Sequence, residues 1–470
     1  MNADRRPSPG QRSRTRSAAA DFVAADSYTP GHGSDDYQVS RYELHLDYQV
    51  TTNRLAGHAT ITARASTALD TITLSLAGLR VLGLQLDGKR LTRFVQRSNQ
   101  LIITPGRPLP AGTGFNLDIR YGGTPTPLRG IWGAVGWEEL SDGVLVAGQP
   151  TGAPTWFPCN DHPGQKASYG FTVTTDTNYR VVCNGVPVSR HAYDARETWV
   201  FEQAEPMASY LATLQIGRYD QLPLIFHTHP PAHRAGLRSG PRPIPQFLAA
   251  PPSLMTKAQT ALARQGQMMD TFQTCFGPYP FAGYTVVVPA DGLEIPLEAQ
   301  SLSIFGPNHL NRGWESQRLI AHELAHQWFG NSLTATTWSD IWLHEGFACY
   351  AEWIWSEASG NSTATTQARA AWRALSVESQ DLAVGDPGPA HMFDDRVYTR
   401  GALAVHALRR AAGDTLFFSF LRAWTDEHRH GSVSTQGLFA TANRICQGVP
   451  GFDAQTILTP WLYQLPLPGL

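Results

Sequence analysis

From about Tyr37 to Asp220 the hydrophobic pattern repeats every two residues, and beyond about residue 250 it repeats at helical spacing. This switch constrains the fold more than any other feature. Tyr42, Leu44, Leu46, Tyr48 and Val50 alternate with polar residues, as do Ile72, Leu74 and Leu76, then Phe115, Leu117, Ile119 and Tyr121, and later Phe171 and Val173. Asp87-Gly88 and Gly122-Gly123 read as turns between them. No amphipathic helix interrupts this half and no fixed repeat period appears, so an all-β saddle or sandwich is expected over residues 27–220. Residues 218–252 are dense in Pro, Gly and basic side chains and read as a boundary loop. Helices are expected near 253–275, 314–329, 341–357, 362–380, 396–412, 414–428 and 434–446, with one clear strand at Tyr284–Val288. The expected fold class is α+β multidomain, with a mainly helical second domain over 221–470.

Composition narrows the function. At about 150 residues per domain, 470 residues suggest roughly three domains. Hydrophobic residues make up 42% and charged residues 16%, enough for large cores. Lys plus Arg at 37 against Asp plus Glu at 39 gives a net charge of -2, with no global pull toward nucleic acid or an anionic membrane. No apolar run reaches membrane-span length. Residues 1–26 are basic and rich in Ser and Pro without an apolar signal core, so a disordered basic tail is expected there. Cys159, Cys183, Cys275, Cys349 and Cys446 are odd in number and lack CxxC spacing, which points to a reducing, cytoplasmic location.

The chemistry concentrates at His322-Glu323-Leu324-Ala325-His326, an HExxH motif in a helical stretch that Gly330 is expected to end. At about 100° per residue the two histidines lie roughly 40° apart on one helix face, where two imidazole nitrogens can reach one zinc ion. Glu323 flanks that face and can take a proton from a water without being a ligand. Catalytic zinc needs a third protein ligand, and Glu345 supplies it after 18 intervening residues, at the start of the next helical pattern. A complete HExxH arises by accident in roughly one such chain in thirty, and demanding a further Glu at one prescribed offset lowers that to about one in a thousand. The indicated reaction is metal-assisted hydrolysis of an amide or ester, with one Zn2+ per chain.

These residues resemble the zinc aminopeptidases that include aminopeptidase N and leukotriene hydrolase. HELAHQWFGN, then Trp338, Asp340 and Trp342-Leu343-His344-Glu345-Gly346-Phe347-Ala348, is similar to that family's metal signature. Thermolysin-like endopeptidases share the ligand gap, so the flanking residues decide. Phe157-Pro158-Cys159-Asn160-Asp161-His162-Pro163, Pro206 to Ala212 and Phe276 to Phe281 resemble further family segments, so the likeness spans about residues 28–470. It implies an N-terminal β domain over a thermolysin-like catalytic domain, acting on peptides with a free N-terminus.

The resemblance also assigns roles. Val397-Tyr398-Thr399-Arg400-Gly401-Ala402 matches the family's VYxKGA, with Arg400 where Lys is usual, and makes Tyr398 the implied transition-state stabiliser. Where the family carries GAMEN, this chain reads Ile295-Pro296-Leu297-Glu298-Ala299. Aligning the glutamates gives Glu298 as the carboxylate that binds the substrate amine, with Glu294 a competing choice. The Gly and Asn of the pattern are absent, and the stretch carries Pro296 and Ala299 instead. Gln149 matches a family Gln or Glu from the β domain that helps hold the N-terminus. His162, His344 and His391 lack ligand spacing and are expected to be structural. The rival readings are a zinc endopeptidase or other hydrolase on the same frame, or a silent binding protein built on it. Tyr398 lies about seventy residues from the last residue, which leaves no room for the large C-terminal helical domain of longer members, and a more open site is expected.

Overall fold

The computed structural model describes residues 25–225 and 243–470. The tail expected over 1–26 lies outside the described residues up to residue 24. Asp26, the last residue assigned to it, is buried and accepts the backbone N–H groups of Tyr28 and Trp338 at 2.9 and 2.6 Å. The Pro-rich boundary segment likewise falls partly outside the description, over 226–242.

The N-terminal domain is β-rich, as its periodicity predicts. Tyr37–Gln49 turns Tyr42, Leu44, Leu46 and Tyr48 inward while the residues between them face out. It pairs antiparallel with Arg54–Ala65 and parallel with Lys166–Asp176 inside an eight-stranded sheet. The strand stops at Gln49, and Val50 is buried instead in a 3-10 turn. A five-stranded sheet has Gly143–Ala147 at its middle, and a three-stranded sheet completes the saddle. Asp87-Gly88 is a turn, with φ of 49° and 73° that joins Leu86 to Lys89. Gly122-Gly123 is not. These glycines finish the Gly114–Gly123 strand, where Gly122 pairs with Ala56 and a Cβ would lie 2.8 Å from the Leu55 carbonyl oxygen. Close approach of two backbones, not chain reversal, requires glycine there.

The second domain holds helices α1 (Pro252–Ala261), α2 (Gln265–Phe276), α3 (Trp314–Ala325), α4 (Trp342–Ala358), α5 (Ala364–Leu375), α6 (Asp395–Ala412), α7 (Asp414–Glu427), α8 (Thr435–Ile445) and α9 (Ala454–Tyr463). It also holds a five-stranded sheet where one strand was expected. Asp220–Pro223 pairs with Gln246–Ala250, which runs parallel to Tyr284–Val287, and the hairpin Leu297–Ala299 with Leu302–Ile304 closes the order. These strands have three to five residues each, too short for alternation to register.

The domains share buried polar contacts. The Lys166 ammonium, from the β domain, donates to the carbonyls of Asn331, Ser332 and Gly431 at 3.0, 2.8 and 3.2 Å. Burial pushes it down to about 7. Tyr210, also from the β domain, donates its hydroxyl to the Gly330 carbonyl at 3.1 Å. Both side chains reach the loop that follows α3, and Lys166 also reaches Gly431 after α7. Among the described residues no helix is long and apolar enough to cross a membrane.

Candidate active site

His322 and Glu323 lie in the last turn of α3 and His326 caps it. The helix is shorter than expected, ending at Ala325, and the chain then turns to Gly330. Gly330 has φ of 118°, and a Cβ there would approach His326 Nδ1 to 3.2 Å. Only a residue without a side chain fits that return. The chain re-enters as α4, which presents Glu345 in its first turn. His322 Nε2 and His326 Nε2 are each 3.5 Å from Glu345 Oε2, and the ligand atoms of these three buried residues all lie within 4.8 Å of one another.

The imidazoles are oriented by their other nitrogens. His322 Nδ1 is 2.7 Å from Glu352 Oε1 and His326 Nδ1 is 3.0 Å from the Phe329 carbonyl. A carbonyl only accepts, so the His326 proton is on Nδ1 and its Nε2 lone pair faces Glu345. Arg318 braces Glu352 in turn, 3.3 and 3.2 Å from its two oxygens.

Negative charge is crowded here. Burial drives Glu323 up to about 7, with His322 opposing and Glu345 and Glu352 adding to the rise. Glu298 is held well above the carboxylate range by burial and by the charges of Glu345 and Glu323. Burial pushes His326 down to about 4. Burial opposes protonation of His322 too, but its contacts with Glu345 and Glu352 raise it well above the usual range. Glu323 Oε2 is buried with no hydrogen-bond partner. Two imidazole nitrogens and the Glu345 carboxylate form a three-donor set that fits zinc, with the orphaned Glu323 oxygen beside it.

Glu298 reaches the cluster. It lies on the Leu297–Ala299 strand, with its carboxylate, that of Glu323 and a His326 nitrogen within 4.8 Å of one another. Glu294 is exposed. The Tyr398 ring, on the first turns of α6, stacks on His322 with centroids 6.0 Å apart. Its hydroxyl is held well above 10 by burial and by Glu345, Glu298 and Glu323, so it stays protonated and able to donate. Gln149 follows the Gly143–Ala147 strand, its Nε2 buried and unpartnered. The preceding Gly148 packs on the Tyr210 backbone, and the Tyr210 hydroxyl feels the charges of Glu298 and Glu345. His162 and His344 accept backbone N–H groups of Gly164 and Ala335, while His391 is exposed before α6.

Two family models match the chain in tandem: the peptidase M1 N-terminal domain over residues 38–211 and the peptidase family M1 domain over 261–461. The chain belongs to peptidase family M1. M1 relatives include leucyl aminopeptidase of Saccharolobus solfataricus, 23% identical over 90% of this chain and 53% of that protein. Endoplasmic reticulum aminopeptidase 1 of Homo sapiens is 24% identical over 88% of this chain and 46% of its own length. The chain thus spans about half the length of the curated relatives it matches. An M1 zinc metallopeptidase from Deinococcus radiodurans superposes with a TM-score of 0.83 at 29% identity, covering 96% of this chain and 99% of that one. A mutant of that protein has been crystallised with a Tyr-Ser-Ala substrate. Yeast LTA4 hydrolase shares the fold, with a TM-score of 0.77 at 21% identity over 97% of this chain and 71% of that one.

The structure adds residues to the M1 site that motif reading passed over. Glu352 lies seven residues after Glu345, two turns along the same face of α4, and that spacing was its available signal. Gly346 and Gly401 are the second addition. A Cβ on Gly346 would lie 2.8 Å from the Gly401 backbone, and one on Gly401 would lie 2.9 Å from Gly346 Cα. This contact lets α4 and α6 touch backbone to backbone, one residue from Glu345 and three from Tyr398. Arg400, the departure from Lys, is buried and caps the end of α9, donating to the Trp461, Leu465 and Pro460 carbonyls at 2.7, 3.0 and 3.1 Å. These partners all belong to the end of α9 and the segment after it, and none is one of the metal-site residues.

Proposed function

We propose that this chain is a zinc-dependent aminopeptidase that hydrolyses the N-terminal peptide bond of peptides. The observation that carries the reading is the placement of a carboxylate without a ligand's role, Glu298, within 4.8 Å of Glu323 and His326. A free ammonium needs such an anion beside the metal, and the anchor fixes which bond meets the catalytic groups. His322, His326 and Glu345 would hold zinc. When bound, zinc supplies Lewis acidity, polarising the scissile carbonyl and making a water acidic enough to lose its proton near neutral pH. Glu323 takes that proton and later delivers it to the leaving amine. Tyr398 donates its hydroxyl hydrogen to the oxyanion that develops at the scissile carbonyl. Glu298 binds the substrate ammonium, and Gln149 assists from the β domain through its side-chain oxygen, which can accept from that ammonium.

We take 27–220 as the β domain and 221–470 as the catalytic domain. The Asp220–Pro223 strand, which pairs into the catalytic sheet, supports a boundary there. The scattered thiols, Cys159, Cys183 and Cys446 among them buried, support a cytoplasmic setting. A panel of aminoacyl reporters and their N-acetylated forms, assayed with and without a chelator, tests the activity. Cleavage of the free-amine forms only, lost on chelation and restored by zinc, is expected. Equal cleavage of N-acetylated forms would favour the endopeptidase reading, and chelator-insensitive turnover would remove the metal from the account.

A further inference from the structure

Glu298 stands on the least self-supporting element of the site. Its strand has three residues, lies at the sheet edge and pairs only with Leu302–Ile304. The turn between them, Gln300-Ser301, places Ser301 at φ of 65°, a left-handed conformation that a non-glycine residue adopts at a cost. Such a hairpin holds its shape only if the surroundings fix it.

Side chains from elsewhere do so. Gln327 is fully buried and follows His326 directly. Its Nε2 donates to the carbonyls of Ala299 and Leu302 at 3.0 and 3.2 Å, and its Oε1 accepts the Ser301 N–H at 2.8 Å. One amide group thus satisfies both strands and the strained turn, as a piece of neighbouring backbone would. Asn331 adds a donation to the Ala299 carbonyl at 2.9 Å. From the opposite side, the β domain's Asn184 donates to the Gln300 carbonyl at 2.8 Å, and the Gly185 N–H donates to Ser301 Oγ at 3.2 Å.

We propose that Gln327 is a positioning residue for substrate-amine recognition: it ties the Glu298 hairpin to the turn at the end of α3, next to His322, Glu323 and His326, and so sets the distance between amine anchor and metal. The proposal rests on the aminopeptidase reading above. Gln327 touches no reacting atom and acts through Glu298.

The test is Gln327→Met, which keeps the volume and removes both donors and the acceptor, alone and combined with Glu298→Ala. It is read with the best-cleaved L-aminoacyl-p-nitroanilide. Gln327→Met should keep one zinc per chain, change kcat less than about threefold and raise KM about tenfold or more, since small misplacements of a binding group cost heavily. In the Glu298→Ala background the same change should move KM by less than about twofold, because the two act through one contact. An unchanged KM, a KM effect that persists in full without Glu298, or loss of zinc would overturn the proposal. Should Gln327→Met fail to fold, Asn184→Ala approaches the turn from the other domain and must show the same dependence on Glu298. Failure of the underlying reading looks different: Glu298→Ala would itself leave KM unchanged.

Discussion

The His322–His326–Glu345 cluster and Glu298, the proposed amine anchor, sit close together, with atoms of Glu298 and His326 within 4.8 Å, yet they are built in opposite ways. His322, His326 and Glu345 ride on the ends of two buried helices, so their mutual placement follows from helical register and the turn at Gly330. Glu298 rides on a three-residue edge strand held by amides borrowed from the zinc helix and from the β domain. On the proposed function, bond cleavage falls to residues carried by packed helices, and the choice of substrate end to a part that other residues must keep in place. A single change in the first region should abolish turnover, whereas changes around the second should degrade recognition and spare the metal.

Glu323→Gln should have the largest effect, lowering kcat by about 10²–10⁴-fold with zinc retained, as expected for loss of a general acid and base. Turnover within a few-fold of native would remove Glu323 from the mechanism. Tyr398→Phe comes next: loss of one oxyanion donor should cost about 10²–10³ in kcat with little change in KM. A KM effect alone would recast Tyr398 as a substrate contact. Glu352→Ala should weaken zinc about 10–100-fold in competition with a chelator, because His322 loses the group that orients it. Unaltered affinity would show that helix register alone suffices. Gly401→Ala should be the mildest, overpacking the α4–α6 contact by about 1–3 kcal/mol, seen as a lower melting temperature. A melting temperature at or above the native value would show that this crossing can relax.

The same contrast explains what could be read in advance. The β domain was legible because long half-buried strands print a period of two, and the clustering of His322 and His326 because a helix converts spacing into direction. The second domain's sheet was not, since Gln246–Ala250 and Leu297–Ala299 are too short for a period. Gly122-Gly123 misled because glycine serves close backbone approach as well as turns. The α4–α6 contact was invisible for the same reason: nothing in the sequence marks Gly346 and Gly401 as partners until the helices are packed. Glu298 was singled out only through resemblance, because a three-residue strand carries no period and the hydrogen bonds that hold its hairpin come from Gln327, Asn331 and Asn184 elsewhere in the chain.

The central claim is that Glu298 makes the metal site read a free amino terminus. Its most direct test is the ratio of kcat/KM for an aminoacyl reporter to that for its N-acetylated form, measured in the native enzyme and in Glu298→Ala at equal zinc content. A large ratio is expected in the native enzyme, collapsing in the variant chiefly through loss of the free-amine substrate. A native enzyme that cleaves both forms equally, or a variant that keeps the full ratio, would contradict it.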